Sequence, residues 1–336
     1  MKLSKIFSIS LLAAILFSCN GPSYSTKKNF GIGFANKKAD YHLGETAQIE
    51  LSNPKNLEVR SINFKLNGSS ISVTNNQLPL TNLRLGSHQL SAEIQHGEKS
   101  EMHNLKFTLY NNAPPKVFGY KVITEYPHNL KWFTQGLEFY KDTLYEGTGK
   151  NGESALRKVD HKTGKAYQET KLDNQYFGEG LTVLNDKVYQ LTWQSNIGFV
   201  YNANTLKRLK TFPYKESREG WGLCNNGKKL FKSDGSEKIW TLDPETLKEE
   251  GYIEVYTNKS KLLKINELEF VNGKIYANTW QFNKEVGIII NPENGAVEGV
   301  IDFSGLKDQV AKHPELDVLN GIAYNPKTNT FFVTGK

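Results

Sequence analysis

A chain of 336 residues, 38% of them apolar, exceeds one typical domain and carries enough material for a large core. The formal charge of +7 is spread thinly, with no run of five or six basic residues, which argues against a nucleic-acid partner. Of the two cysteines, Cys19 lies in an N-terminal leader, so Cys224 has no partner for an intramolecular bridge and the core must hold the fold.

Residues 1–19 read as that leader. Lys2 and Lys5 form a charged start, Ile6 to Phe17 an apolar stretch, and Leu16-Phe17-Ser18-Cys19 follows at once. About a dozen apolar positions are too few for a permanent membrane-spanning helix. The four residues ending in cysteine resemble a bacterial lipoprotein signal, in which Cys19 is lipidated and becomes the mature N-terminus. An ordinary secretory peptide with a coincidental cysteine is the alternative. Polar, turn-rich residues 20–28 then form a tether. The expected location is the bacterial cell envelope, lipid-anchored on the periplasmic or outer side of a membrane.

Residues 29–112 read as an all-β domain of about seven short strands. Period-2 alternation appears at the end of 41–51, in Ile62-Asn63-Phe64-Lys65-Leu66 and in Leu90-Ser91-Ala92-Glu93-Ile94. Asn67-Gly68, His96-Gly97 and Leu85-Gly86-Ser87 supply turn signals. The pattern fits a small Ig-like β-sandwich that serves as a spacer or docking module. Asn111-Asn112-Ala113-Pro114-Pro115 opens a linker over 113–117, its prolines removing amide donors and holding the chain extended.

From 118 to 336 a skeleton repeats. Gln135-Gly136-Leu137-Glu138-Phe139, Glu179-Gly180-Leu181, Trp221-Gly222-Leu223-Cys224, Asn266-Glu267-Leu268-Glu269-Phe270 and Asn320-Gly321-Ile322-Ala323-Tyr324 recur at intervals of roughly 42 to 54 residues. Each begins a hairpin that turns at a pair such as Asn185-Asp186 or Asn272-Gly273, and further strand pairs lie between hairpins. Four short strands per period predict an all-β, five-bladed β-propeller, its last blade cut short by the end of the sequence. The first strand of each blade lines the central channel, so Gln135, Glu179, Trp221, Asn266 and Asn320 should converge at one end.

These motifs, together with Phe133-Thr134, Phe177-Gly178, Glu219-Gly220, Ala277-Asn278-Thr279-Trp280 and Val333-Thr334-Gly335-Lys336, resemble the plant and bacterial type of glutaminyl-peptide cyclotransferase. The resemblance covers about 118–336, with motifs from every blade in order. It implies a metal-independent enzyme, unrelated to the zinc-dependent animal ones, that converts the N-terminal glutamine of peptides and proteins to pyroglutamate and releases ammonia. Glu179 matches the family's essential glutamate, a proton shuttle between the attacking amine and the leaving nitrogen. Lys336 and Asn266 match the groups that would steady the oxyanion. Phe133, Phe177, Trp193, Trp221 and Trp280 match an aromatic pocket, and Gln135 would orient the substrate amide or the glutamate. Trp193 and Trp280 each lie fourteen residues after their blade's polar candidate, placing both across a hairpin from it.

None of the seven histidines falls into a spacing that suits metal ligands; a structural cation in the channel stays open, though the sequence gives no dedicated loop for one. No cofactor is expected, and the chain is read as a monomer. The family continues past its lysine with an aromatic-proline strand, whereas this sequence stops at Lys336; Gly119-Tyr120-Lys121-Val122-Ile123-Thr124 is the candidate to close the ring in the fifth blade, with one inner neighbour missing, so either the sequence is a piece of a longer protein or the blade is incomplete. A surface-anchored propeller that binds peptides or partners without turnover, and a metal-dependent propeller hydrolase, are the alternatives.

Overall fold

Two burial patterns divide the chain. In the N-terminal part, Thr46–Ser52 and Gly86–His96 alternate buried and exposed positions, as strands covered on one face do. Further on, Gly178–Leu184 is buried at every position, which requires neighbours on both faces. The computed structural model describes residues 28–282 and 284–336, so Cys19, the leader and nearly all of the tether lie outside the described residues. Among the described residues the structure is all β apart from the 3-10 turns Ala35–Lys37 and Lys307–Gln309.

The N-terminal part holds two sheets. One is three-stranded, in the order Gly31–Phe34, Thr46–Ser52, Gln77–Pro79; the other is five-stranded, in the order Asp40–His42, Lys99–Tyr110, Gly86–His96, Ser61–Leu66, Ser69–Ile71. Phe34, Tyr41, Ile49, Leu90 and Phe107 pack between them, and the same core takes in Tyr256 and Ala296 from the repeat array. Hydrogen bonds complete the dock: Leu85 N to Asn294 O at 2.8 Å, Asn111 N to Thr257 O at 3.1 Å and Ser87 N to Glu254 Oε2 at 2.7 Å. Leu85-Gly86-Ser87, expected as a turn, instead opens an eleven-residue strand, with Gly86 pressed against Glu254.

Five antiparallel sheets follow. The first comprises Thr134–Tyr140, Thr143–Thr148, Ala155–Asp160 and Lys165–Lys171, and the second Gly178–Leu184, Lys187–Thr192, Ile197–Asn202 and Arg208–Pro213. The third comprises Leu223–Asn225, Leu230–Ser233, Lys238–Leu242 and Glu249–Glu254, and the fourth Ile265–Val271, Lys274–Thr279, Val286–Ile290 and Val297–Asp302. Leu319–Asn325 and Thr330–Gly335 make the fifth. The first strands touch their neighbours in sequence, and that of the fifth sheet returns to that of the first, closing a ring. Apolar clusters fill the spaces between sheets: Leu156, Leu181 and Phe199 between first and second, Leu191, Leu223 and Trp240 between second and third, Ile239, Leu268 and Ile288 between third and fourth. Burying each such side chain stabilises the ring by about 1.5–3 kcal/mol. The hairpin turns expected at Asn185-Asp186 and Asn272-Gly273 are present, with φ of 51° and 58°, and of 49° and 79°.

Buried carboxylates cross-link the centre. Glu138 accepts from Thr182 Oγ and Val183 N of the second sheet, Glu269 from Tyr324 N of the fifth, and Glu267 reaches both Leu137 N of the first and Ile322 N of the fifth. Burial raises the proton affinity of all three.

Two expectations fail at the ring's closure. Residues 119–124 form no strand, and Val122 and Ile123 are exposed. Lys116–Phe118, partly assigned to the linker, pairs parallel with Val297–Asp302 on the outer edge of the fourth sheet. The reason is edge availability. The outer strand of the fourth sheet offers a free edge where the N-terminal part docks, so the chain pairs as soon as it leaves the prolines.

Candidate active site

The ladder breaks where the polar candidates sit. Register slips between Thr134 and Gly136, Gly178 and Leu181, Ile265 and Leu268, and Leu319 and Ile322, so Gln135, Glu179, Asn266 and Asn320 all lie in bulges of innermost strands. A bulge leaves a residue unpaired and re-aims its side chain, here towards the ring's centre. The glycine after three of the ring's equivalent residues has a separate cause. A Cβ on Gly136 would meet Leu181 N at 2.5 Å, on Gly180 Trp221 O at 2.5 Å, and on Gly222 Asn266 O at 2.0 Å, so neighbouring inner strands approach there backbone to backbone.

Glu179 is 5% exposed, and its carboxylate makes no side-chain hydrogen bond among the described residues. Burial holds its proton affinity well above that of an ordinary carboxylate; Lys336 opposes this and Glu219 adds to it. Lys336 is also buried, and burial lowers its ammonium's affinity for its proton, with Glu179 and Asp317 acting the other way. Its main chain is fixed by Lys336 N to Val318 O at 3.0 Å and Asp317 N to Lys336 O at 2.8 Å, and its Nζ lies 5.4 Å from the Phe133 ring centre.

The amides divide into committed and free. Asn320 Nδ2 donates to Thr134 O at 2.9 Å and to Gln135 Oε1 at 3.2 Å, which fixes Gln135. The side chain of Asn266 is 2% exposed, and its Oδ1 has no partner among the described residues. Its backbone is held by Ser233 Oγ, which donates to Asn266 O at 2.7 Å. A buried amide held in place with its own hydrogen bonds unmade is poised for a ligand.

Aromatic rings form the rim. Phe133 meets Phe177 edge to face at 6.3 Å, Phe177 meets Trp193 at 5.6 Å, and Trp221 meets Trp280 at 6.0 Å. Trp193 N bonds Phe177 O and Trp280 N bonds Lys264 O, so both tryptophans cross their hairpins as the spacing predicts. Contacts thus link Gln135 to Asn320, Lys336 to Phe133, and the rings of Phe133, Phe177 and Trp193 through Glu219 to Trp221 and Trp280, with Glu179 coupled by charge to Lys336; the Asn266 side chain makes no hydrogen bond to any of them among the described residues. Sequence reasoning gives a task neither to Glu219, a motif residue that bonds two of these indoles, nor to Asn320. Nothing in the spacing marks what Glu219 does, whereas Asn320's equivalence to Gln135 and Glu179 is a usable signal. Among the described residues no three His, Cys, Asp or Glu side chains converge to hold a metal ion.

The model of the glutamine cyclotransferase family matches residues 92–336. The chain belongs to the glutamine cyclotransferase family. The match begins within the strand Gly86–His96, earlier than the motifs alone reach. A glutaminyl-peptide cyclotransferase of Arabidopsis thaliana is 42% identical over 219 residues, 64% of this chain and 68% of the relative. The crystal structure of Myxococcus xanthus glutaminyl cyclase aligns at 36% identity with a TM-score of 0.61, covering 66% of this chain and 94% of that one. The chain is all-β and, over the aligned part, similar to that solved enzyme.

Proposed function

We propose that this chain converts the N-terminal glutamine of peptides and proteins to pyroglutamate with release of ammonia, without a metal or cofactor, on a five-bladed propeller preceded by an Ig-like sandwich. The observation that carries the reading is Glu179, a buried carboxylate with raised proton affinity and no side-chain hydrogen bond among the described residues, coupled by charge to a lysine that lies against the aromatic ring of Phe133. A free α-amine holds its proton up to about pH 8, so its base must bind protons more tightly than a surface carboxylate.

The chemistry then follows from the residues. Phe133, Phe177, Trp193, Trp221 and Trp280 grip the flat side chain of the substrate and exclude water, while Gln135, fixed by Asn320, orients its amide. Glu179 takes a proton from the α-nitrogen as that nitrogen bonds to the side-chain carbonyl carbon. The oxyanion so formed is met by Lys336 Nζ and Asn266 Nδ2. Collapse breaks the bond to the amide nitrogen, Glu179 returns the proton to it, and ammonia leaves. Confinement of amine and carbonyl in one pocket supplies a further part of the rate.

Incubation with a Gln-peptide should yield a product lighter by one ammonia in the mass spectrum. Binding in calorimetry with no such loss would leave the non-catalytic alternative. The rate should be bell-shaped in pH. Turnover needs Glu179 ionised and Lys336 protonated, so the acid limb is expected well above the ordinary 4.5 of a glutamate and the alkaline limb below the ordinary 10.5 of a lysine. A profile whose limbs sit at those ordinary values would refute the assignment.

We further infer that Cys19 carries a lipid, that residues 20–28 are a tether, and that the enzyme acts as a monomer at the periplasmic or outer side of a bacterial membrane. The charged start, short apolar stretch and Cys19 support this reading. Cys19→Ser should move the protein from the membrane fraction to the soluble one; retention in the membrane would remove the anchor.

A further inference from the structure

The aromatic rim falls into two groups. Phe133 meets Phe177 and Phe177 meets Trp193, Trp221 meets Trp280, and among the described residues no ring contact joins Trp193 to Trp221. Glu219 bridges the two groups. Its Oε2 accepts from Trp193 Nε1 and from Trp221 Nε1, each at 2.7 Å, and its Oε1 accepts from Gln194 Nε2 at 3.2 Å. Trp193 closes the hairpin of the second sheet and Trp221 leads into the third, so one carboxylate ties the two sheets' indoles together. We propose that Glu219 is the positioning residue of the pocket, holding Trp193 and Trp221 in the orientation in which they clamp the substrate's glutamine side chain.

Three observations separate this from an ordinary surface contact. Glu219 makes no ion pair among the described residues, and the hydrogen bonds of its carboxylate there all come from indole and amide N–H groups. Hydrogen bonds to an ionised acceptor are roughly twice as strong as neutral ones. Trp193 is 38% exposed and would otherwise be free to turn, a freedom that substrate binding would have to remove. The backbone around Glu219 is itself fixed: Gly220 N bonds Trp193 O, Trp221 N bonds Ser233 O, and Glu249, paired with the buried Lys232, accepts from Glu216 N and Ser217 N. A clamp mounted on a held loop is pre-organised.

The inference rests on the reading of the pocket as a glutamine site, and its test separates the two. Glu219→Ala should raise KM for a Gln-peptide about tenfold, the loss of a charged hydrogen-bond acceptor, with kcat within about threefold. Glu219→Gln keeps an oxygen able to accept both indole N–H groups and should stay within about threefold of wild type in KM. Trp193→Phe should match Glu219→Ala and add nothing to it in the double variant, which also decides the matter if Glu219→Ala folds poorly. Near-UV circular dichroism should lose indole signal in Glu219→Ala and keep it in Glu219→Gln. An unchanged KM in Glu219→Ala, or a Glu219→Gln variant as impaired as Glu219→Ala, would overturn the proposal. Should wild type itself show no turnover, the glutamine reading fails, and circular dichroism alone then decides whether Glu219 positions the indoles.

Discussion

Glu179→Gln should lower kcat by about 10²–10⁴-fold, the usual contribution of a positioned proton shuttle, while the protein stays folded. Stability supplies an internal control. The folded-state proton affinity of Glu179 lies above its unfolded value, so the stability linked to it is complete at low pH and is lost as pH rises through the folded pKa. Glutamine cannot ionise and has no such loss. The variant's melting temperature should therefore be within a few degrees of wild type at acidic pH and gain on it as the pH is raised. Part of that gain is offset because Lys336 loses the counter-charge that helps it keep its proton. A folded Glu179→Gln variant with full turnover would sink the mechanism.

Gly222→Ala should cost more than about 4 kcal/mol in urea unfolding or leave the protein unable to fold, on a scale where whole domains hold only about 5–15 kcal/mol. The new Cβ would stand 2.0 Å from Asn266 O and 2.7 Å from Glu267 Cα, both backbone atoms of the next sheet. Neither can move without shifting the inner strand that carries Asn266. Gly227 is the control. At φ +83° with nothing within 4 Å of its Cβ, alanine there meets conformational strain alone, of order 1 kcal/mol. Equal losses at the two positions would show that the third and fourth sheets do not approach as described.

Much of this was readable from residue types. Asn185-Asp186 and Asn272-Gly273 announce tight turns because their backbone tolerates positive φ, and the recurring glycine after Gln135, Glu179 and Trp221 marks the contact of inner strands. Those two signals located every repeat and, through the repeats, the converging polar residues. What stayed hidden depends on edges and partners. Alternation shows that a segment is extended but not which edge it joins, so 119–124 looked like a strand and the parallel pairing of Lys116–Phe118 went unseen. The docking of Tyr256 and Ala296 into the N-terminal core joins residues far apart in sequence, and nothing local to either records it. The task of Glu219 was hidden for the same reason: it is defined by an indole from another sheet.

The bulges have a consequence for how such a site can change. At Gln135, Glu179 and Asn266 the ladder has already given up its pairing and the side chain makes no hydrogen bond to the main chain of a neighbouring strand among the described residues, whereas Asn320, also in a bulge, ties its sheet to Thr134 O. Those three sheets thus present sockets whose contents can be exchanged independently of the frame that holds them. A ring built this way can acquire a different chemistry one sheet at a time, provided the glycines and the crossing carboxylates beneath the sockets are left alone.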